Sequence, residues 1–181
     1  MSTNLPARLD AEMTFAKALS SSDLVPRAFR GKPANVLLAI NLGHSLGLAP
    51  ATALTTIHII DGQPSMSAQL QAALVRRAGH RLRIHRHDGA VTAVLIRSDD
   101  PDYEHTATWD MARAEAAGLA GRGAWRQYPE AMLTNRAITE VIRIGASDIV
   151  LGAAYDPEEL TTPQSDVIDA EVITDDENPD E

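Results

Sequence analysis

The segment from Arg81 to Arg97 constrains the fold more than any other part of this 181-residue chain. Polar and apolar residues alternate from Arg81 to His87, and Ala90–Arg97 returns as a Val- and Ile-rich run. The Asp88-Gly89 pair between them suits the two left-handed positions of a type I′ turn. The pattern therefore predicts a β-hairpin, and a hairpin is stable in water only when other elements cover its apolar face.

The sequence on either side of the hairpin predicts those covering elements. Tyr103–Trp109 alternates as a third strand, Met111–Ala117 is helical and ends at Gly118, and Pro129 opens a long helix to about Ile144. Upstream of the hairpin, the patterns predict three helices: one around Ala11–Leu19, one from Pro33 that ends at Gly47, and a short one at Pro50. A strand at Ile57–Ile60 follows, with a turn at Asp61-Gly62. A further helix is capped by Ser65 or Ser67 and ends at Gly79.

Together these elements predict an α+β fold, a three-stranded antiparallel meander packed on helices, with additional N-terminal helices. We expect residues 1–160 to form one domain and residues 161–181 to be a disordered acidic tail. Hydrophobic residues make up 44% of the chain but aromatic residues only 4%, so the core must consist mainly of aliphatic side chains.

Charge is distributed unevenly along the chain. Eleven of the 25 acidic residues and none of the 16 lysines and arginines lie in residues 156–181. Residues 1–155 therefore hold 14 acidic against 16 basic residues, a balance of +2, although the whole chain carries −9. A basic body with an acidic tail favours a nucleic-acid-binding protein, and the alternative is a tail that only adds solubility.

Composition excludes several classes of protein. The chain has no cysteine, so disulfides and thiolate zinc sites are ruled out. No apolar run is long enough to span a bilayer, and the N-terminus lacks the apolar core of a signal peptide. We expect no membrane partner and a cytoplasmic location.

A basic cluster around the first strand of the hairpin is the main candidate site. Alternation places Arg81, Arg83, His85 and His87 on one strand face, opposite Leu82 and Ile84. Arginines on one exposed face can neutralise phosphates without reading bases. Arg76 and Arg77 lie in the last turn of the preceding predicted helix. The helix dipole favours cations there in any protein, which is an alternative explanation for these two residues. The arginines that we predict to contact DNA here are Arg76, Arg77, Arg81, Arg83 and Arg86.

A second candidate lies in the segment from Gly123 to Arg143. A helix from Pro129 would bury Leu133, Ala137, Ile138, Val141 and Ile142 and present Asn135, Arg136, Thr139, Glu140 and Arg143 on its polar face. Glu140 is spaced to form exposed ion pairs with both arginines of that face, so those arginines have a structural explanation too. Trp125 and Tyr128 precede the helix on a loop containing Gly121 and Gly123, where they either stack on bases or hold the loop by packing. The DNA-contact candidates of this segment are Trp125, Arg126, Tyr128, Arg136 and Arg143.

Catalytic patterns are weak. His85-x-His87-Asp88 lacks the third ligand and general base of a catalytic zinc site, and adjacent arginines would repel a cation. The sequence favours a solvated turn over the Mg²⁺ site of a nuclease for the acidic run Asp99, Asp100, Asp102 and Glu104. The chain has no G-x-x-x-x-G-K-[ST] or G-x-S-x-G motif. We therefore predict no enzyme activity and no cofactor, with Mg²⁺ only as a counterion of DNA.

Two segments resemble the RecT/Redβ family of phage single-strand annealing proteins, on the RecT-like side. The run from Leu46 to Leu54 is similar to the family's L-G-L-x-P-x-x-A-L element. The run from Trp125 to Met132, followed by Arg136-Ala137-Ile138, is similar to its W-x-x-x-x-E-x-M element and the helix that follows. The resemblance covers roughly residues 10–160. One departure is that the chain has only two lysines, Lys17 and Lys32, so the lysine contacts of relatives would fall to arginine or be missing.

The resemblance implies a β-β-β-α core, ATP-independent binding of single-stranded DNA and of the annealed duplex, and a homo-oligomer that forms a ring or helical filament. It also implies phage recombination in a bacterial host, with a phage exonuclease or a host single-strand-binding protein as a further partner. The alternatives are an oligomeric scaffold that acts through its acidic tail and a metal-dependent nuclease.

Overall fold

The computed structural model describes residues 5–60, 62–121, 123–151, 153 and 157. The helices are α1 (Leu5–Ser20), α2 (Pro33–Ser45), α3 (Pro50–Thr56), α4 (Ala68–Arg77), α5 (Met111–Ala116), α6 (Gly123–Gln127) and α7 (Pro129–Gly145), with a 3₁₀ turn at Arg27–Phe29. The strands are β1 (Ile57–Ile60), β2 (Gln63–Met66), β3 (Arg81–His87), β4 (Ala90–Ile96) and β5 (Glu104–Trp109). The predicted domain boundary and the tail of residues 161–181 lie outside the described residues.

The hairpin predicted from alternation is present and forms two strands of an antiparallel sheet. The order of that sheet is β3-β4-β5, and Arg81, Ile96 and Glu104 form one row across it. The turn residues Asp88 and Gly89 have φ values of 49° and 77°, as the type I′ turn requires. The α+β class and the three-stranded antiparallel meander are thus confirmed.

Helix α7 covers one face of this sheet. It packs against β4, β5 and α4, and α4 packs against β3. Its Leu133, Ala137, Ile138, Val141 and Ile142 are all buried, as the helical spacing predicted. The helix and the sheet therefore bury the main hydrophobic core between them.

The N-terminal helices form a second hydrophobic cluster. Helix α2 packs against both α1 and α3. The buried members of this cluster are Ala16, Val25, Phe29, Val36, Ala39 and Leu54. Within the described residues, no single helix is long and apolar enough to cross a membrane; α2 and α3 reach that threshold only when joined across a bend of 108°.

The predicted capping of α4 by Ser65 or Ser67 is confirmed: the Ser67 hydroxyl accepts a hydrogen bond from the Leu70 amide. Three other local predictions need correction. Residues Gln63–Met66, which we did not predict as a strand, pair with β1. Residues 123–127 are helical, not a loop. Thr139 is fully buried and its hydroxyl donates to backbone carbonyls of its own helix, so it does not belong to a polar face.

Arg97, at the end of β4, ties the end of α7 to the sheet. Its guanidinium donates to both carboxylate oxygens of Asp99 and of Asp148 at 2.8–3.0 Å, and to the carbonyl of Gly145 at 3.0 Å. These hydrogen bonds from Arg97 lower the pKa of Asp99 to about 2 and also lower the pKa of Asp148, while Asp99 and Asp148 raise the pKa of Arg97.

We expect Arg97→Gln to lower the melting temperature at neutral pH and to remove part of its acid dependence. A carboxylate whose pKa is depressed in the folded state contributes stability above its unfolded pKa and loses it as the pH falls through the folded value. The difference between wild type and variant should therefore be complete above the ordinary Asp value of 3.8 and shrink as the pH approaches 2. Thermal denaturation followed by circular dichroism from pH 7 to pH 2 measures this, with Arg126→Gln as an exposed control. A difference that stays constant to the lowest pH would contradict the role of the two carboxylates.

Candidate nucleic-acid interface

The sheet has a second face, directed away from α7, which we call the outer face. Strand alternation and the register of the three strands define its members, and their exposure agrees with that assignment. The outer face consists of Arg81, Arg83, His85 and His87 on β3, Ala90, Thr92, Val94 and Ile96 on β4, and Glu104, Thr106 and Thr108 on β5.

The three strands contribute different chemistry to the outer face. All four β3 side chains are exposed, and their i, i+2 spacing makes a row of basic groups about 20 Å long. Val94 and Ile96 form a half-buried apolar column beside that row. On β5, Thr108 shares a hydrogen bond of 2.8 Å with Thr92 of β4, and Glu104 is the acidic residue at the far edge. The face is therefore basic along one edge and apolar to weakly polar across the middle.

Arg86 lies on the opposite side of the sheet from the basic row. It pairs with Val91, which is buried, and its guanidinium donates to the Thr134 hydroxyl of α7 at 3.2 Å. Close to it, a depression of about 200 Å³ lies between the hairpin turn and the start of α7 and includes both Arg86 and Glu130. Because this depression carries both signs of charge, it does not extend the basic row.

Arg76 and Arg77 hold backbone carbonyls at the end of α4. The guanidinium of Arg76 donates to the Leu82 carbonyl at 3.3 Å. Arg77 donates to the carbonyls of Leu46 and Gly47, the residues that follow α2. The Arg77 side chain thus completes the C-terminus of a different helix, a long-range structural role that the local explanation from the helix dipole did not include.

The aromatic pair before α7 is divided between core and surface. Trp125 lies on α6 and is only 6% exposed, so packing occupies its ring. Tyr128 is 64% exposed and directly precedes α7, and Arg126 is exposed on α6. Of the two aromatic candidates, Tyr128 is the one whose ring meets solvent.

Glu140 of α7 has partners that helical spacing did not indicate. Its carboxylate accepts from the Trp109 indole Nε1 at 2.5 Å and from the Arg113 guanidinium at 3.0 Å. Arg113 also stacks 4.2 Å from the centre of the Trp109 ring, and Arg136 lies 5.7 Å from it. Arg136 and Arg143 are both half-buried. Sequence reasoning missed Arg113 and Trp109, because no spacing rule connects a residue of α5 with a strand and a distant helix.

The residues of the metal and nuclease alternatives lie around the hairpin turn and in the segment after β4. Among the described residues, no group of three or more His, Asp or Glu side chains is arranged to hold a metal ion. Asp99 is engaged by Arg97, and His87 lies 3.1 Å from the carboxylate of the neighbouring Asp88.

Comparison with protein-family models, curated proteins and solved structures finds no match for this chain. The resemblance to the RecT/Redβ family therefore rests on the two sequence segments and remains a prediction.

Proposed function

We propose that this protein binds single-stranded DNA through the outer face of its sheet and anneals complementary strands without ATP. The observation that carries the proposal is the basic row of Arg81, Arg83, His85 and His87 on an exposed sheet face. Guanidinium groups bind phosphate oxygens through charge-assisted hydrogen bonds, and the two guanidinium groups of Arg81 and Arg83 lie in line with two histidines along one strand, an arrangement that suits a linear polyanion.

The composition of the outer face favours contact with the backbone over contact with bases. None of its eleven side chains is phenylalanine, tyrosine or tryptophan, the rings on which bases usually stack in single-strand-binding proteins. A strand held by its phosphates leaves its base edges free to pair. Neutralising the phosphates also reduces the repulsion between two complementary strands, which is the electrostatic requirement for annealing.

The order of elements supports placing the chain near the RecT/Redβ proteins. Strands β3, β4 and β5 are followed by the long helix α7, which packs on their inner face. The resemblance implies the same order, three strands and then a helix. Helices α5 and α6 intervene here between β5 and α7.

Weak binding by one copy makes assembly along the strand part of the proposal. Residues 1–155 have a surplus of only two basic residues over acidic ones. One protomer would therefore bind weakly, and a homo-oligomer would sum several such contacts on one DNA molecule. The ring or filament is the form that the resemblance implies.

We expect the purified protein to shift a single-stranded oligonucleotide in a mobility assay at low salt and to accelerate the pairing of complementary oligonucleotides without ATP. Both effects should weaken steeply as salt rises, because the contacts are to phosphates. A fluorescence-quenching assay of strand pairing measures the rate, with protein-free strands as the baseline. A protein that shifts no single strand at low salt would point to the scaffold alternative, and strand cleavage in Mg²⁺ or Mn²⁺ would point to the nuclease.

A further inference from the structure

The acidic residues of the chain are concentrated after the described core. Residues 158–181 contain ten acidic side chains and no lysine or arginine. Their middle reads Asp166-Val-Ile-Asp-Ala-Glu-Val-Ile-Thr-Asp175, in which two Val-Ile pairs alternate with carboxylates. The segment therefore combines negative charge with β-branched apolar side chains.

The outer face offers the complementary combination. Arg81 and Arg83 of β3 are exposed, and the half-buried Ile96 and Val94 pair with them on β4. The phosphates of DNA could form contacts only with the basic part of this surface. A segment with both carboxylates and Val-Ile pairs could contact the basic row through its carboxylates and the apolar column through its valines and isoleucines.

The described chain passes one end of the sheet shortly before this segment begins. Asp148 follows α7 and is held by Arg97, the residue after the end of β4, with nitrogen and oxygen 2.8 Å apart. Ile96, the last residue of β4, pairs with Arg81. The chain therefore passes the Arg81 end of the basic row at Asp148, ten residues before Glu158, and Val150 and Ala153 after it are still buried in the main core.

Residues 158–181 are long enough to cover the whole basic row. The 24 residues from 158 to 181 span up to about 80 Å when extended, since a residue adds at most about 3.3–3.6 Å. The basic row is about 20 Å long. Because the segment belongs to the same chain, its contact with the outer face is intramolecular, and effective concentrations of such contacts reach the millimolar range.

We propose that residues 158–181 dock on the outer face of the same chain and compete there with the phosphates of single-stranded DNA. This inference rests on the proposed function for the competitor, but the contact between tail and face stands independently of DNA. The tail would act as an internal polyanion that suppresses weak binding and yields to a long strand bound by many protomers.

The tail contact can be tested without DNA. The chain has no cysteine, so Thr174→Cys provides a single site for a nitroxide spin label. We expect the label to broaden the amide NMR signals of Arg83 and Val94 at low salt, and about 1 M salt, where the Debye length is about 3 Å, to restore them. The matched control carries the same label in a tail whose ten side-chain carboxylates are neutralised, with each Asp of residues 158–181 changed to Asn and each Glu changed to Gln. Broadening that is absent, or that persists in this neutralised tail, would overturn the proposal.

The same neutralised tail, without the label, separates this inference from the proposed function. We expect it to bind single-stranded DNA about tenfold more tightly than wild type at low salt, since an internal competitor at millimolar effective concentration has been removed. Unchanged affinity in a protein that does bind DNA would reject the competition and leave the proposed function intact. Absence of DNA binding in both proteins, with the spin-label contact present, would reject the proposed function and leave the tail contact intact.

Discussion

The double variant Arg81→Glu/Arg83→Glu is expected to bind single-stranded DNA on the order of a hundredfold more weakly than wild type at low salt. A hydrogen bond to a charged group contributes about 1.5 kcal/mol or more, and about 1.4 kcal/mol corresponds to a factor of ten, so two lost phosphate contacts account for this loss. Both side chains are exposed on β3, so the fold does not depend on their charge. The reversed charges would also repel the phosphates that remain.

The salt dependence of DNA binding is a second and more specific measurement on the Arg81→Glu/Arg83→Glu variant. For single strands, the logarithm of the binding constant falls with the logarithm of salt concentration by about 0.7 per neutralised phosphate. Loss of two contacts should therefore reduce the slope by about 1.4 per protomer. Fluorescence anisotropy of a labelled oligonucleotide, measured over a series of salt concentrations, gives both affinity and slope.

A control with the same change in net charge separates local contact from general electrostatics. Lys17→Glu/Arg27→Glu reverses two exposed cations of the N-terminal helical part. We expect a small loss of affinity and a nearly unchanged slope from this pair. Equal losses in the two double variants would contradict a defined site on β3, and unchanged affinity in the first would remove the outer face from the interface.

Gly145→Ala is expected to destabilise the fold by about 2 kcal/mol, with a melting temperature lower by about 5 °C for a chain of this size. Gly145 is the last residue of α7 and is buried against the sheet. A Cβ atom there would lie 2.7 Å from Cγ of His105 and 2.9 Å from a methyl group of Leu95. Real Cβ atoms essentially never approach this closely, so the helix or the sheet must move.

The sign of this effect is opposite to the one that helix propensity predicts. Alanine is favoured over glycine by up to about 1 kcal/mol inside a helix, so an exposed Gly→Ala change would stabilise the protein. Here the clash is not relieved by a simple side-chain movement, because Leu95, one of the two contacts, is fully buried in the core. The neighbouring Ile144→Ala, at a side chain 57% exposed, is the control and should change stability little. A higher melting temperature for Gly145→Ala would show that the contact between α7 and the sheet is looser than described.

The elements that the sequence predicted well are those governed by local rules. The hairpin depends on alternation and on two left-handed turn positions at Asp88 and Gly89. Helix α7 depends on proline at its first position and on a repeating apolar stripe. In both cases the residues that decide the structure are near neighbours in sequence.

The errors have the opposite origin. Residues 123–127 contain a glycine and no apolar repeat, yet they are helical and bury Trp125 in the main core. Strand β2 includes a proline and was not predicted, although all four of its residues pair with β1. Tertiary packing can override weak local propensity in short segments, and no neighbour in sequence reveals the partner.

For the candidate site, the sequence alone determined that Arg81, Arg83, His85 and His87 share one face, because side chains of a strand alternate with a period of two. Only the tertiary structure decided which arginines remain in solvent and which bind the protein itself. Arg86 donates a hydrogen bond to Thr134, 48 residues away, and Arg97 donates one to Asp148, 51 residues away. Arg77 donates to the carbonyls of the residues after α2, 30 and 31 residues away. A guanidinium binds whichever oxygen the packed chain brings within reach, and that depends on how helices and sheet come together rather than on the residues beside it in sequence.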